Sequence, residues 1–351
     1  MRAGAVPRRR RAAHRRTARP AGVSGALAWL RRWGVSIWSL VGGVFTLFVF
    51  RRGIPNVALI VGYLLLLWLL VAVLVQVRGT LEASERRAHR FVLTATQYSI
   101  QTLYHGVLLF LRPAYWAATT LTSPNVLFLA LLVALALLAT FDPWYRRLVH
   151  PYPWVGNVFF LVSVFGALNL ALPLVGVPPF GALQIAAWMA MVALTPAVCR
   201  ERGWSWIYGA GATIVAGVGL AILVSLGRVV IPPAPLFLAR TAIGWAVGSV
   251  ESLEPVLGTV SVTELRERGL IAYTAIYAPA GLLQPVEHVW RRNGEVINRV
   301  SLSPVQGGRR EGFRTFSRKT AFPDDPVGRW TVDVVTASGQ LIGRLRFRVV
   351  R

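Results

Sequence analysis

Few side chains in the 351-residue sequence have the types and spacing that catalysis would need. Ser317 and Lys319 are two residues apart, which places both on one face of a strand. A serine beside a lysine is one arrangement of a nucleophile and its base, but this two-residue motif has no visible oxyanion partner. The sequence therefore predicts no catalytic residue, and we expect the protein not to be an enzyme.

Metal and cofactor sites are likewise not expected. Metal catalysis needs several ligands together with acidic groups that orient them. His89, His105 and His150 lie in different segments, and no acidic residue accompanies them inside a hydrophobic run. His288 and Trp290 alternate on one face of a predicted strand, a position more typical of core packing than of a ligand.

A stripe of polar residues recurs at three- and four-residue spacing within residues 91–111. Its members are Gln97, Tyr98, Gln101, Tyr104 and His105. Such spacing places most of them on one helical face. Two main interpretations are open: an inward face that hydrogen-bonds to neighbouring helices, or an intramembrane site for a ligand or a lipid head group.

Two further patterns concern surfaces. Arg344, Arg346 and Arg348 alternate with apolar residues in the last strand, so they form a solvated face or a docking face for an anionic polymer or phospholipid head groups. Gly209, Thr213 and Gly217 are small residues at four-residue intervals, a pattern that predicts close helix packing within a bundle.

Long hydrophobic runs determine where these side chains lie. Apolar residues make up 55 % of the chain and charged residues 15 %, with a mean hydropathy of +0.54. This composition excludes a chain that is disordered throughout, and the single cysteine, Cys199, excludes a disulfide scaffold. Most of the runs reach the roughly 20 residues that a membrane-spanning helix needs. The seven predicted spans are residues 33–50, 54–77, 91–111, 125–141, 154–176, 180–199 and 204–231.

The net charge of +24 is explained largely by orientation. Residues 1–32 contain ten arginines and no acid, which predicts a disordered cytoplasmic tail attracted to anionic lipid. Nucleic-acid binding is not expected, because no aromatic residue interleaves these arginines before Trp29. With an odd number of spans, residues from about 232 onward lie outside the cytoplasm.

The remaining residues alternate in polarity with a period of two, and Asn293-Gly294 predicts a tight hairpin turn. Segments 259–265 and 270–277 are among about seven predicted short strands, the spacing of an immunoglobulin-like sandwich. The predicted fold class is an α-helical transmembrane bundle followed by an all-β sandwich. The expected domains are a tail at 1–32, a bundle at 33–231 and an extracytoplasmic β-sandwich at 232–351.

The chain resembles an uncharacterised bacterial inner-membrane family that joins a multi-span helical region to a C-terminal domain of unknown function. The segments that show the resemblance are Tyr273–Pro279, His288–Trp290, Gly307–Arg309, Ser317–Lys319, Gly328–Val332, Asp142–Tyr145 and Pro232–Leu236. The resemblance implies a cytoplasmic-membrane location and the two-part architecture. It implies no activity, substrate or site residue.

The sequence thus favours a non-enzymatic anchor in the bilayer of the bacterial cytoplasmic membrane. It would present a periplasmic immunoglobulin-like domain to a protein or an envelope polymer. The alternative is a transporter or channel for an uncharged or lipid-like substrate, because the predicted spans lack Asp, Glu and Lys but contain the polar stripe. A membrane-embedded lipid enzyme is least supported, since only Asp142, His89 and His150 could supply its chemistry.

Overall fold

A computed structural model describes residues 66–74, 87–149, 151–247, 249–255 and 258–351. Within these ranges, helices occupy the chain up to Leu226 and strands occupy it from Phe237 onward. This layout confirms a helical region followed by β-sheets. The predicted disordered tail, 1–32, and the first predicted span, 33–50, lie outside the described residues.

The described helical region begins with residues 66–74, which form α1. The helices that follow are α2 Arg87–Ala117, α3 Val126–Thr140, α4 Asp142–Leu148, α5 Pro153–Leu174, α6 Pro179–Val192, α7 Thr195–Arg202 and α8 Trp206–Leu226. A proline occupies one of the first two positions of α4, α5, α6 and α7. Proline is tolerated there because the first turn leaves backbone N–H groups without an intrahelical partner.

Among the described residues, three helices are long and apolar enough to cross a membrane: Pro153–Leu174, Pro179–Arg202 and Trp206–Leu226. A fourth span is obtained if α3 and α4, which are bent by 104° at Phe141, count as one unit. The described residues therefore support three or four of the seven predicted spans. The predicted span 91–111 does form part of one helix, α2, but this helix is not among those apolar enough. Most of the predicted span 54–77 lies outside the described ranges.

Helices α2, α3 and α5 pack side by side in alternating directions. Tyr115 near the end of α2 contacts Phe128 near the start of α3, with ring centroids 5.2 Å apart, so these two helices are antiparallel. The Tyr115 hydroxyl donates to the carbonyl of Gly166 (2.9 Å) and accepts from the Asn169 amide (2.9 Å) on α5. Helix α5 consequently runs parallel to α2, and successive connections alternate between the two ends of the helices.

Helix α8 packs antiparallel to α6 and α7 through small residues. Gly209, Thr213 and Gly217 are its buried residues, which confirms the predicted close approach. The Thr213 hydroxyl lies 2.7 Å from that of Thr195. A Cβ atom added at Gly217 would lie 2.9 Å from Trp188 Cδ1 and 3.1 Å from the Trp188 carbonyl oxygen. The backbones approach because this face has almost no side-chain volume.

Two main sheets form the β region. The strands are β1 Phe237–Val247, β2 Ser249–Pro255, β3 Thr259–Ser261, β4 Leu270–Tyr277, β5 Leu283–Gln284, β6 Val286–Arg292, β7 Glu295–Ser301, β8 Val305–Gln306, β9 Phe313–Lys319, β10 Gly328–Thr336 and β11 Leu341–Val350. One sheet has the order β2-β1-β4-β9, the other β3-β11-β10-β6-β7, and β5 pairs with β8. The two larger sheets share one core that includes Ala272 and Ile276 from the first and Trp290 and Trp330 from the second.

The sequence located several of these elements. Predicted strand 270–277 is β4, and Asn293 and Gly294 both adopt the positive φ of a tight hairpin turn (49° and 94°). Predicted strand 259–265 is wrong beyond Ser261, where a helix, α9 Val262–Arg268, begins. Ser261 and Glu264 form a capping box, each side chain accepting from the other's backbone N–H at 3.2 Å, and this stabilises the helix start. Strands β1 and β2 were not predicted.

A buried segment joins the two regions. Residues 231–236 are all buried. Ala234 belongs to the core of the helical region and Leu236 to that of the β region. Hydrogen bonds from Ala234 N to the Pro232 carbonyl (2.8 Å) and from Leu236 N to the Pro233 carbonyl (2.9 Å) fold the segment into tight turns. The β region is therefore held directly against the helices.

The close approach of α8 generates a stability prediction. Replacing Gly217 by Ala should lower the free energy of unfolding by about 1–3 kcal/mol, because the new methyl group would overlap Trp188. Gly219→Ala is the matched control, since a Cβ atom there has no heavy atom within 4 Å in the described structure. It should leave stability unchanged or slightly raised. Thermal unfolding of the purified protein in detergent measures both, and equal melting temperatures for the two variants would contradict the packing.

Candidate functional site

The polar stripe on α2 contacts neighbouring helices. Gln101 is buried, and its side-chain amide donates to the Ala139 carbonyl (2.9 Å) and to Asp142 Oδ1 (2.6 Å). His105 is also buried, with Nδ1 2.9 Å from the Thr140 hydroxyl. These hydrogen bonds connect α2 to the end of α3. They agree with the first interpretation of the stripe, an inward face that hydrogen-bonds to neighbouring helices.

The remaining members of the stripe, Gln97, Tyr98 and Tyr104, differ in environment. Tyr104 is buried, with its ring 5.5 Å from that of Phe159 on α5. Gln97 is half-buried and lines a groove of about 340 Å³. The residues lining this groove are Phe91, Thr94, Ala95, Gln97, Tyr98, Gln101 and Arg146. The stripe is thus divided between packing and an open groove.

The arginine stripe on β11 lies partly against the helical region. Arg344 Nη1 donates to the backbone carbonyl of Thr122 (3.4 Å), and Arg346 donates to the Thr122 hydroxyl. Thr122 belongs to the connection between α2 and α3. Two of the three predicted docking residues therefore contact the protein's own helices, while Arg346 and Arg348 are both exposed.

A buried carboxylate holds Arg344 in place. Asp333 on β10 is only 3 % exposed and accepts from Arg344 Nε (2.5 Å) and Nη2 (2.9 Å) and from Arg291 Nε (3.0 Å). The hydrogen bonds to Asp333 raise the pKa of the Arg344 guanidinium, so it stays charged. The carboxylate of Asp333 orients the side chain that reaches Thr122.

A second buried polar group lies between the two sheets. His288 is fully buried, with Nδ1 2.8 Å from the Ser317 hydroxyl and Nε2 3.1 Å from the Thr274 hydroxyl. The Trp290 indole also donates to Ser317 Oγ (3.1 Å). One neutral histidine tautomer satisfies both ring nitrogens. The serine and histidine have the spacing of a nucleophile and base, but burial separates them from any substrate.

Ser317 therefore pairs with His288 and not with Lys319, the other residue of the serine–lysine motif. The Lys319 ammonium lies 5.4 Å from the centroid of the Phe322 ring, and burial lowers its pKa. The prediction that His288 is a packing residue is confirmed by its complete burial. The His288–Ser317 contact was not predicted, because 29 residues separate the two positions and the sheet pairing brings them together.

The four-stranded sheet has a pocket that the sequence did not predict. Trp245, Arg268, Ile271 and Arg318 line a space of about 230 Å³. Arg268 lies over the Trp245 ring, its guanidinium carbon 4.6 Å from the ring centroid, and the indole donates to the Gly269 carbonyl (2.9 Å). The ring positions the Arg268 guanidinium, a group that can bind a carboxylate or phosphate through two hydrogen bonds.

The pocket edge is not purely basic. The pKa of Glu264, one turn before Arg268 on α9, is lowered by its hydrogen bonds with Ser261 and also by the charge of Arg268. Four elements bring the lining residues together: Trp245 is on β1, Arg268 on α9, Ile271 on β4 and Arg318 on β9. The absence of β1 from the sequence prediction is the reason that the pocket was missed.

In the described part of the chain, no group of three or more His, Cys, Asp or Glu side chains could hold a metal ion. Of the residues that a lipid enzyme would need, Asp142 accepts from Gln101. His150 and the side chain of His89 lie outside the described residues.

The described architecture defines a two-part protein in which apolar helices precede a β region. The chain belongs to a family of unknown function, DUF5924, whose model matches residues 21–272. The model of a second protein family of unknown function, DUF2914, matches residues 284–349. No curated protein and no solved structure matches the chain.

The limit between the two family matches falls inside the β region. Residue 272 lies within β4, so the first match includes β1, β2 and β3 as well as the helices. Strand β4 pairs with β9, which lies within the second match. Strand β3 pairs with β11, which extends one residue beyond the second match. The two matched stretches thus complete each other's sheets.

The buried histidine gives a pH prediction. Desolvation lowers the pKa of His288 to about 4, from 6.5 when exposed. Between pH 4 and pH 6.5 the histidine at position 288 is therefore protonated in the unfolded chain but neutral in the folded protein. The free energy of unfolding should therefore fall as the pH is lowered from 6.5 toward 4, by up to about 1.4 kcal/mol per pH unit, and this term should be constant above 6.5.

Denaturant unfolding at pH 7 and pH 5 measures this term. The wild-type protein should lose roughly 2 kcal/mol more than His288→Gln over this interval. An identical pH dependence in the two proteins would contradict the assignment of the titrating group.

Proposed function

We propose that the protein is a multi-pass membrane anchor that holds an immunoglobulin-like binding domain on the outer face of the bacterial cytoplasmic membrane. One observation supports this most strongly. The connections after α2, α5 and α8 lie at one end of the helices, and each contacts the β region. Thr122 contacts Arg344 and Arg346, and Arg228 contacts Ser338. Gly176 lies beside Gly281, whose carbonyl oxygen would be 3.6 Å from a Cβ atom added at Gly176. The anchor thereby fixes the orientation of the domain.

Exposed aromatic residues support insertion in a bilayer. Trp144, Tyr152, Trp154, Trp204 and Trp206 are all exposed at the end of the helices away from the β region. Tryptophan and tyrosine concentrate at membrane–water interfaces, and α4, bent by 104° from α3, is oriented to lie along such an interface. Helices 153–174, 179–202 and 206–226 would cross, and the predicted segments 33–50 and 54–77, with α2 and α3, would complete seven spans.

The charges indicate the orientation. Arg146, Arg147, Arg200 and Arg202 lie on α4 and α7, at the end away from the β region. The positive-inside rule assigns this end to the cytoplasm, together with the arginine-rich residues 1–32. The β region then lies outside.

The strand order supports an immunoglobulin-like domain. Strands β11, β10, β6 and β7 are neighbours in one sheet, and β4 pairs with β9 in the other. These positions match strands G, F, C and C′ and strands B and E of a variable-type domain. Trp290 on β6, in the position of strand C, is fully buried, as the core tryptophan of such domains is.

The binding surface that the geometry favours is the pocket of Trp245, Arg268 and Arg318. The outer face of the five-stranded sheet contacts the helices through Arg344 and Arg346, so the four-stranded sheet presents the opposite face of the domain. A pocket of about 230 Å³ is smaller than the roughly 300–1,000 Å³ of small-molecule sites. It suits one acidic group of a larger partner, an envelope polymer or a protein.

The transporter alternative is less well supported. Gln101 and His105, the residues that would contact a solute, are hydrogen-bonded to α3. Within the described residues, the groove that Gln97 lines is the feature that still supports a transporter.

Reporter fusions test the location. A phosphatase that is active only outside the cytoplasm should be active when fused after Arg351 and inactive when fused after Gly203, in the connection between α7 and α8. Activity of the Gly203 fusion and inactivity of the Arg351 fusion would reverse the orientation and overturn the proposed display of the β region.

Binding of polygalacturonate, a polymer of carboxylated sugars, tests the surface. Arg318→Gln should weaken binding to the full-length protein in detergent about tenfold, the value of a charge-assisted hydrogen bond. Arg299→Gln is the control, because Arg299 is exposed on β7 and pairs with Glu287 (3.4 Å), away from the pocket. Equal binding of neutral dextran, or equal effects of the two substitutions, would exclude recognition of acidic groups by this pocket.

A further inference from the structure

We propose that the groove between α2 and α4 binds the head group of an anionic phospholipid from the cytoplasmic leaflet. The proposal rests on the membrane insertion described under the proposed function, but not on what the β region binds. The groove has a volume of about 340 Å³, within the range of small-molecule sites. Phe91, Gln97 and Tyr98 on α2 form one wall and Arg146 on α4 forms the other.

The groove lies at the depth where phospholipid head groups are found. Helix α4 turns by 104° from α3, and Trp144 on α4 is exposed beside Arg146. Tyr152 and Trp154 follow on the next connection and are exposed as well. Interfacial aromatic residues mark the head-group region, so a groove lined by α4 opens into that region.

The lining fits an amphipathic anion. The Arg146 guanidinium and the Gln97 amide can donate to phosphate oxygens, while the Phe91 and Tyr98 rings offer apolar surface to the glycerol and the upper acyl chain. Phe91 is 74 % exposed in the protein alone, which is costly in water but suits contact with lipid. Basic pockets between helices on the cytoplasmic side are known to bind anionic head groups.

One acidic side chain lies beside the groove. Asp142, one turn before Arg146 on α4, accepts from the Gln101 amide at 2.6 Å, and Gln101 itself lines the groove. Asp142 is not among the lining residues, and its carboxylate already accepts this hydrogen bond. Arg147 adds a second positive charge on α4 but does not line the groove.

Native mass spectrometry of the full-length protein in non-ionic detergent tests the proposal, with phosphatidylglycerol and phosphatidylcholine as probes. Phosphatidylglycerol should be retained preferentially. Arg146→Gln should weaken its binding about fivefold, whereas Arg147→Gln, a change of the same charge on the same short helix, should change it less than about twofold. Gln97→Leu, which keeps the volume of the groove, should also weaken binding, about threefold.

Three outcomes would overturn the proposal. Equal retention of the two lipids would show that charge is not recognised. Equal effects of the Arg146 and Arg147 substitutions would show a diffuse electrostatic attraction, such as that expected of the arginine-rich tail. Displacement by free glycerol phosphate at concentrations comparable to those of the lipid would show a site for a soluble phosphate compound. Because the assay needs neither orientation nor a β-region ligand, its failure is distinguishable from failure of the proposed function.

Discussion

The carboxylate of Asp333 is the point on which the arrangement of the two regions depends. It is buried on the outer face of the five-stranded sheet and accepts hydrogen bonds from Arg291 and Arg344. A buried carboxylate is stable only when it is paired, and here the pairing orients the guanidinium that reaches Thr122 at the end of the helices. The hydrogen bond from Arg228 to the Ser338 carbonyl and the buried segment 231–236 connect the two regions as well.

The same rule applies to three further buried side chains. Gln101 and His105 in the helices and His288 between the sheets all have hydrogen-bond partners from other elements. Each fixes the register of two elements, because a shift would leave a buried donor or acceptor unsatisfied. The two binding sites that we propose lie at the edges, on α4 and on the outer face of the four-stranded sheet.

Much of the fold followed from local patterns. Strand β4 and the Asn293-Gly294 turn were predicted because alternation and positive φ are encoded within a few residues. The helix at Val262–Arg268 was missed because Val260 and Val262 alternate at its start. The three-residue spacing of Val262 and Leu265 and the Ser261–Glu264 capping box are the local signals of the helix. Of the candidate site, the polar stripe was located correctly, but its division into packing residues and a groove depends on where α3 ends.

The sequence by itself determined the order of the regions, the apolar character of the helices and the distribution of arginines, because hydropathy and charge are properties of short segments. Only the tertiary structure decided which polar residues face each other. Ser317 pairs with His288 instead of Lys319, and Arg344 pairs with Asp333 and contacts Thr122. These partners are 11 to 222 residues apart in the chain. Local periodicity contains no information on such distances, since it is the packing of whole sheets and helices that brings the partners together.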